Sequence, residues 1–355
     1  MSRTNVCFAL CLLLLICSTA VVPAAAQHFQ QMNGSLSQIA AGRNEVWGLN
    51  GSGEIYRFNA KTKKFAQIKI AGMSGKSSLL SQIAVGGGSL LQSDEVWGVG
   101  PIIDGQGAVY RFNYSTNVFD CLSDGFGCVA MEQIVVGEGD EDAAAGGSDG
   151  CHPYEVWGIV FSEGTSNGTW RYNYCTSQFD RIPLPQGSTT NFTHIATGGS
   201  DTWALDANAH IWHYNQYENL WFQVTNGGFD GTLQQITVGV NDVWGLDGNG
   251  TVYRYDPNNA TFVLVQPGSQ VDVAQIAASG DGVWAITASS PGSGLCNVSR
   301  FQSYGLGTPT AGGGGFQSFC LSTSSSEDAT QIAVGSGAGI WVVNQAGQIN
   351  TWVRP

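Results

Sequence analysis

Arginine and acidic residues recur along this sequence at fixed positions relative to tryptophan. In segments such as IYRFN at Ile55 and VYRYD at Val252, an arginine lies between aromatic residues. In the segment that precedes IYRFN, an acidic residue, Glu45, lies two positions before Trp47. A guanidinium and a carboxylate can form a bidentate hydrogen-bonded pair, and each can also bind the hydroxyl groups of a ligand. The motif therefore predicts either an ion pair or a polar binding site.

The motif occurs in most of a series of repeats. Its basic positions are Arg57, Arg111, Arg171, Arg254 and Arg300, with His213 and Thr351 in two further repeats. Its acidic positions are Glu45, Glu95, Glu155, Asp201 and Asp242. Two interpretations stay open. Either the groups form structural ion pairs or hydrogen bonds between adjacent repeats, or they open into the crevices between repeats and hold a ligand beside neighbouring aromatic faces.

The repeats themselves predict the architecture. A Gln-Ile-Ala-like segment recurs at Ile39, Ile83, Ile134, Ile195, Ile236, Ile276 and Ile332. Each is followed by a tryptophan-containing segment, in most repeats by a Tyr-Arg-Tyr-like segment, and then by a segment with another aromatic residue. Four strand-like segments in roughly 40 residues are typical of a propeller blade. The sequence therefore predicts an all-β, seven-bladed β-propeller with four-stranded antiparallel blades.

The last repeat supplies only three strands, which end near Trp352. Residues 28–32 offer a strand-like segment just before the first repeat. We expect this N-terminal segment to serve as the outer strand of the last blade, because that pairing closes the ring and leaves no wide open edge between the first and last blades. The propeller would then comprise residues 27–355.

The register of the first hairpin is predicted from its short turn. With residues 50–53 as the turn, Trp47 faces Tyr56 and Gly48 lies beside Arg57. The same arithmetic pairs Trp203 with Trp212 and Trp244 with Tyr253. This register predicts that the tryptophans pack mainly in the core and that the glycine leaves room for the guanidinium between blades.

Residues 1–26 have the layout of a secretory signal. Arg3 precedes an apolar run over residues 7–16, and three alanines at 24–26 supply small residues for cleavage. A lipidated Cys17 is the alternative. No later segment is long and apolar enough to predict a membrane span. We expect a mature chain that begins at Gln27 and is secreted or extracellular, or periplasmic or at the cell surface in a bacterium.

Removal of the signal leaves six cysteines, an even number that favours three disulfides in an oxidising compartment. The predicted strand ends place the six close together in three pairs. These pairs are Cys121 with Cys128, Cys151 with Cys175, and Cys296 with Cys320.

The repeat resembles that of the tectonin family of β-propellers. The segments QIAAGRNEVWGLNGSGEIYRFN, from Gln38 to Asn59, and QITVGVNDVWGLDGNGTVYRYD, from Gln235 to Asp256, carry the resemblance, which covers essentially the whole mature chain. Tectonin-type proteins include secreted lectins that bind microbial surface glycans, among them lipopolysaccharide and O-methylated sugars. The lectins of this family have six blades, whereas this sequence has seven repeats, with long insertions in the second, third and sixth.

The resemblance implies a lectin whose partners are cell-surface or microbial glycans, bound at several weak sites that act together. The candidate carbohydrate-binding residues are Arg57, Arg111, Arg171, Arg254, His213, Trp212 and Trp221. The alternative function is an extracellular scaffold that grips a protein partner with the inserted loops of blades 2, 3 and 6.

Other functional classes are disfavoured by composition and motifs. Only 14 Lys and Arg against 27 Asp and Glu, a net charge of -13, argue against a nucleic-acid partner. No His-Glu-x-x-His motif occurs, and we expect no enzymatic activity, cofactor or metal. The acidic insertion at 137–150 suggests a solvated loop or, alternatively, a calcium site. Lys61, Lys63 and Lys64 protect a strand edge or, alternatively, form an anion-binding patch.

Overall fold

The structure, a computed structural model, is a ring of β-strands. It describes residues 27–73, 78–88, 92–101, 107–125, 127–137, 151–160, 168–184, 191–199, 201–224, 232–265, 272–288, 296–303, 314–321 and 328–353. The predicted signal segment at 1–26, Lys76 and all but the first residue of the acidic insertion lie outside these ranges. Within these ranges, no helix is long and apolar enough to cross a membrane.

The described strands form seven blades, each built on four antiparallel strands, as predicted. A short parallel pairing of Lys69 and Ile70 with Val118 and Phe119 joins blades 1 and 2 into one sheet. Strand β1 (His28–Ser35) comes first in the chain and belongs to the last blade. Blade 1 contains β2 (Gln38–Ala41), β3 (Val46–Leu49), β4 (Ile55–Asn59) and β5 (Lys64–Ile70). Blade 2 contains β6 (Gln82–Gly86), β7 (Glu95–Val99), β8 (Gly107–Asn113) and β9 (Val118–Cys121), with the short β10 (Ala130–Met131) paired to β8. Blade 3 contains β11 (Gln133–Val136), β12 (Val156–Val160), β13 (Gly168–Asn173) and β14 (Gln178–Ile182).

The remaining blades follow the same order from the centre outwards. Blade 4 contains β15 (Phe192–Gly198), β16 (Asp201–Asp206), β17 (Ile211–Asn215) and β18 (Leu220–Gln223). Blade 5 contains β19 (Leu233–Val238), β20 (Val243–Asp247), β21 (Val252–Asp256) and β22 (Thr261–Leu264). Blade 6 contains β23 (Val273–Ser279), β24 (Gly282–Thr287), β25 (Val298–Ser303) and β26 (Gly314–Phe319). Blade 7 contains β27 (Ala329–Gly335), β28 (Gly339–Asn344) and β29 (Gln348–Val353), completed by β1.

The N-terminal strand closes the ring, as the short last repeat predicts. Strand β1 pairs antiparallel with β29, with Phe29 opposite Trp352. The Phe29 ring is fully buried and packs edge-on against Trp352 at 5.0 Å and against Trp284 of blade 6 at 6.0 Å. This strand therefore supplies core as well as backbone hydrogen bonds to the last blade.

Tryptophans from the second strand of each blade pack against the blade that follows. The Trp47 ring lies 4.6 Å from Phe112 and 5.6 Å from Phe119, both in blade 2. Trp341 of blade 7 meets Phe58 of blade 1 in the same way, at 4.7 Å. These edge-to-face contacts bury large rings between blades, where each pair adds about 0.5–1.5 kcal/mol beyond area burial.

Glutamines of the innermost strands tie neighbouring blades together. The Gln38 Oε1 accepts a hydrogen bond from Ile83 N of blade 2 at 2.8 Å, and Gln331 Oε1 of blade 7 accepts one from Ile39 N of blade 1 at 2.7 Å. His194 occupies the same position in blade 4, and its Nε2 contacts Ile236 O at 3.1 Å. The repeated Gln-Ile-Ala segment therefore satisfies backbone groups at the centre of the ring. A cavity of about 310 Å³ lies among these inner strands.

The predicted hairpin register is wrong by one residue. Trp47 pairs with Arg57, and Gly48 pairs with Tyr56. The turn closes on Asn50 and Glu54, whose backbone groups bond at 3.1 Å. An odd number of loop residues, 51–53, therefore replaces the even turn that was predicted.

The same one-residue difference occurs in blades 4 and 5, and it moves side chains to other faces. His213 lies opposite Trp203, and Arg254 lies opposite Trp244. Tryptophan and the basic residue therefore share one face of the blade. Gly48 faces the other side, where a Cβ would overlap the Leu36 side chain, so this glycine makes room for leucine rather than for a guanidinium.

Three disulfides join the described cysteines in the predicted pairs: Cys121 with Cys128, Cys151 with Cys175, and Cys296 with Cys320. Disulfides persist in oxidising compartments, so these bonds indicate an oxidising environment for the folded chain.

Candidate functional site

The predicted ion pairs form, but each lies within one blade rather than between two. Arg57 Nη2 lies 2.5 Å from Glu45 Oε1, and Arg111 Nη2 lies 2.7 Å from Glu95 Oε1. The expected position between adjacent blades is therefore wrong. The reason is the corrected register, which places the arginine beside the tryptophan of its own blade and within reach of the acid that precedes it.

The tryptophan completes a three-residue unit. Trp47 Nε1 donates to Glu45 Oε2 at 2.7 Å, so one carboxylate accepts from both indole and guanidinium. We call this arrangement the acid-Arg-Trp unit. It recurs in blades 2 and 3 with Glu95 and Glu155, and blade 4 has a histidine version formed by Asp201, His213 and Trp203. In blade 5 the Arg254–Asp242 distance is 3.6 Å.

The guanidinium of the unit contacts the next blade through aromatic rings. The Arg57 Cζ lies 5.4 Å from the ring centre of Trp47 and 5.5 Å from those of Phe112 and Tyr114 in blade 2. Arg111 lies over Tyr172 and Tyr174 of blade 3 in the same way. The arginine therefore links blades by cation–π contact, although its ion pair is internal to the blade.

The acid-Arg-Trp units have similar sequences but differ in how far their arginine side chains are exposed to solvent. The Arg171 side chain is 9% exposed and its partner Glu155 is 7% exposed. The side chains of Arg57, Arg111 and Arg254 are 32%, 35% and 38% exposed. Water and ligands can thus reach the arginines of blades 1, 2 and 5, and they can reach His213 of blade 4, but Arg171 is enclosed.

Two candidate tryptophans have no open ring face. Trp212 is buried and its Nε1 donates to Asp206 Oδ2 at 3.0 Å. Trp221 is also buried, and its Nε1 donates to Thr169 Oγ1 at 2.9 Å. Both rings belong to the core between blades 3 and 4, so neither can stack on a sugar in this structure.

A groove of about 750 Å³ opens beside the unit of blade 1. Its lining includes Glu45 and Arg57, and it extends to Gln92 and Asn117 of blade 2. The groove also contains Asn44, Phe58, Asn59, Ala60, Lys61, Ala66, Ile68 and Ser93. Amides, an ion pair and an ammonium group therefore surround a volume within the range of small-ligand sites, about 300–1,000 Å³.

The groove is open because Ala66 is small. Ala66 pairs directly with Arg57, so its side chain lies on the same face of the blade, towards blade 2. Larger residues occupy the equivalent position in the next four blades, namely Asp120, Asp180, Phe222 and Val263. Sequence reasoning did not single out Ala66, although the alignment of repeats contains the signal.

One wall of the groove rests on a buried carboxylate that the sequence analysis missed. Asp94 is 1% exposed, and its Oδ2 accepts hydrogen bonds from Asn44 N at 2.8 Å and Glu45 N at 2.9 Å. Burial raises the pKa of Asp94 to about 6. Tyr114 donates to Asp94 O at 2.6 Å, and burial raises the pKa of its hydroxyl as well. The bonds from Asn44 N and Glu45 N to Asp94 join blade 1 to blade 2 and hold the Asn44–Glu45 turn in place.

The lysines and the acidic insertion contribute unequally to this region. Lys61 lines the groove, whereas Lys64 begins β5 and pairs with Asn59. Lys76 and residues 138–150 lie outside the described residues. Among the residues that the structure describes, no group of three or more metal-ligating side chains could hold a metal ion.

Comparison with known proteins identifies the fold alone. No protein-family model matches the chain, and no curated protein matches it. The chain is similar to a structure of YCF48 bound to a D1 peptide, with a TM-score of 0.60, 12% identity and coverage of 94% of this chain and 99% of that chain. It is also similar to U3-55K, with a TM-score of 0.60, 10% identity and coverage of 92% and 98%.

A third similar structure is the β-propeller domain of Cps50 (Swd1) from Myceliophteria thermophila. Its TM-score is 0.58 at 8% identity, with coverage of 92% of this chain and 99% of that chain. Identities this low carry no functional assignment, because one fold hosts many functions. The chain is a β-propeller.

Proposed function

We propose that this chain is a secreted, non-catalytic lectin of the tectonin type. It binds surface glycans, such as lipopolysaccharide or O-methylated sugars, in the crevices between its blades. The observation that carries the proposal is the groove between blades 1 and 2, where the partly exposed Arg57–Glu45 pair faces amide side chains across about 750 Å³.

The chemistry of this groove suits a sugar. Sugar hydroxyls donate and accept hydrogen bonds, and the amides of Asn44, Asn59, Gln92 and Asn117 can do both. The guanidinium and carboxylate add one strong donor and one strong acceptor that are already held by hydrogen bonds. The Tyr114 ring is 39% exposed and lies 5.5 Å from the guanidinium of Arg57, which lines the groove.

Repetition supports binding to dense glycan surfaces. Arg111 of blade 2 and Arg254 of blade 5 have exposures close to that of Arg57, so ligands can reach several units. Weak sites on one rigid ring can bind a polymer or cell surface together, and their joint affinity exceeds that of each site.

Ala66→Phe tests the groove directly. The equivalent residue of blade 4 is already Phe222, and Ala66 is exposed, so a phenylalanine can be accommodated and should occupy the groove. We expect at least about tenfold weaker glycan binding, or ~1.4 kcal/mol, by residues 27–355 on a glycan array that includes methylated and lipopolysaccharide-derived sugars.

Ala66→Ser is the matched control, because it keeps the groove open and should bind as the unchanged protein does. Unchanged melting temperatures would show that all three proteins are folded. Absence of binding by the unchanged protein to every glycan would refute the lectin. Equal losses on separate substitution of Arg57, Arg111 and Arg254 would indicate repeated sites, whereas one dominant loss would indicate a single pocket.

A protein-interaction scaffold is the second candidate, favoured by an apolar patch. Leu220 and Phe222 of β18 are 38% and 44% exposed, and Leu264 of β22 is 41% exposed. By register, the first two point towards blade 5 and the third points towards blade 4, so they border one outer cleft. YCF48, which has a similar fold, was solved with a peptide. Loss of a co-purifying secreted partner in Phe222→Ser, with no glycan bound, would support this candidate.

A further inference from the structure

Blade 6 keeps the arginine and the tryptophan of the acid-Arg-Trp unit but lacks the acid. Arg300 pairs with Trp284 as Arg171 pairs with Trp157 in blade 3. The guanidinium also lies over the ring at the same distance, 5.7 Å in both blades. The residue two before the tryptophan, an acid in blades 1 to 5, is Gly282.

Both donors of this unit lack the acceptor that they have elsewhere. Trp284 is fully buried, and its Nε1 has no hydrogen-bond partner among the described residues. In blades 1 to 4 the equivalent indole donates to the acid, as Trp157 does to Glu155 at 2.7 Å. Within the described ranges Arg300 forms no ion pair, and its contact is with the Trp284 ring.

Apart from the neighbours of Gly282 in the chain, only Arg300 lies close to the position of the missing acid among the described residues. A Cβ at position 282 would meet, among described atoms, only Arg300 Nε and Nη2, each at 3.9 Å. Gly282 has a φ of 104°, a conformation that side chains of L-residues rarely adopt, so blade 6 does not supply its own acid there. A buried indole donor and a guanidinium thus lie together without the carboxylate that accepts from the equivalent groups in blades 1 to 4.

The other incomplete units differ from this one. In blade 5 the Trp244 Nε1 also lacks a partner, but the carboxylate of Asp242 is in place 3.6 Å from Arg254. In blade 7 the arginine position is Thr351, and Trp341 Nε1 donates to Ala338 O at 2.8 Å. Among the described blades, blade 6 alone combines a motif arginine, an unpaired indole donor and no motif acid.

We propose that blade 6 is a binding site for the carboxylate of an acidic sugar, held by Arg300 and Trp284 Nε1 in place of the missing acid. The inference rests on the proposed lectin function for its choice of ligand. The ligand carboxylate would accept from the indole at one oxygen and from the guanidinium at the other, as Glu45 does in blade 1. The remaining sugar would lie towards solvent, where Arg300 is partly exposed.

The indole N–H signal of Trp284 gives a direct test. In ¹⁵N–¹H spectra of the full propeller, titration with glucuronate should shift this signal in a saturable way, whereas neutral glucose should leave it unchanged. Arg300→Gln should weaken the glucuronate response at least about tenfold, because a hydrogen bond to a charged group is lost. Arg181→Gln removes an exposed arginine on β14 and should leave the response intact.

Failure of this inference is distinguishable from failure of the lectin proposal. No shift of the Trp284 signal with glucuronate, or an equal shift in Arg300→Gln, would overturn the carboxylate site. Unchanged signals from the other tryptophans would show that Arg300→Gln is folded. Binding of neutral glycans without a Trp284 shift would refute this site alone. A saturable Trp284 shift alongside an array without any bound glycan would support the site and refute the lectin.

Discussion

Arg171→Met and Arg57→Met remove the same guanidinium from two blades in which the ion pair is buried to different extents. Arg171 and Glu155 are 9% and 7% exposed, whereas Arg57 and Glu45 are 32% and 10% exposed. Methionine keeps a flexible apolar stem over the tryptophan, so each substitution removes the charge and its hydrogen bonds while preserving much of the packing.

The structure predicts different losses of stability. Removal of one partner from a buried pair leaves an uncompensated charge and typically costs about 3–5 kcal/mol. After Arg171→Met, the indole of Trp157 is the donor that remains to the Glu155 carboxylate among the described residues, so we expect a loss in that range. The Arg57–Glu45 pair is partly exposed and is closer to surface pairs, which contribute about 0–1 kcal/mol, so Arg57→Met should cost about 1 kcal/mol.

Urea unfolding followed by tryptophan fluorescence measures both losses. Glu155→Gln combined with Arg171→Met should recover part of the loss, because the amide carries no charge yet can still accept from Trp157. This double-mutant cycle isolates the pair itself, and the slope of free energy against urea should stay unchanged.

Equal losses in blades 1 and 3, within about 0.5 kcal/mol, would refute the reasoning that burial decides the role of each unit. A large loss of unfolding free energy in Arg57→Met would also contradict the reasoning, because it would show that the arginine of the groove is a structural residue. A large loss in blade 3 alone would assign Arg171 to stability and leave Arg57 available for ligand.

Three further outcomes are expected. Burial raises the pKa of Asp94 to about 6, so the contribution of this group to stability is fully present below about pH 4 and is lost as the pH rises through 6. The difference in unfolding free energy between wild type and Asp94→Asn should therefore fall over this range. An equal difference in urea titrations at pH 4 and pH 7 would contradict this prediction. Loss of the Cys296–Cys320 bond, which spans 24 residues, should lower the unfolding free energy by about 3 kcal/mol in the double alanine variant, compared with the unchanged protein in urea. Asn297 lies in a glycosylation sequon but is 4% exposed, and its side chain bonds to Ala329 N and O at 3.1 Å, so a glycosylating host should leave it unmodified; a glycopeptide at this position in mass spectrometry would show otherwise.

Repeat periodicity alone predicted the propeller, the closing strand and the disulfide pairs. These features depend on where strands begin and end, and strand-forming segments with aromatic residues mark those points along the chain. Cys151 and Cys175 come together because antiparallel strands of one blade bring their ends to one side, which needs no knowledge of other blades.

The register of strand pairing was harder to predict from the sequence, because it depends on the length of the turn. The sequence predicts four turn residues at 50–53, whereas Asn50 pairs with Glu54 across a three-residue loop. That single difference moved the arginines from beside glycine to beside tryptophan. It explains why the ion pairs were predicted correctly as pairs but in the wrong place.

The sequence by itself determined which residues form the acid-Arg-Trp units and how many times they recur. Only the tertiary structure decided that Arg171 is enclosed, that Arg57 borders a groove opened by Ala66, and that Arg300 faces the place of a missing acid. The physical reason is that exposure and pairing depend on atoms contributed by an adjacent strand or blade, some of them tens of residues away. Identical motifs therefore acquire different environments when the ring closes.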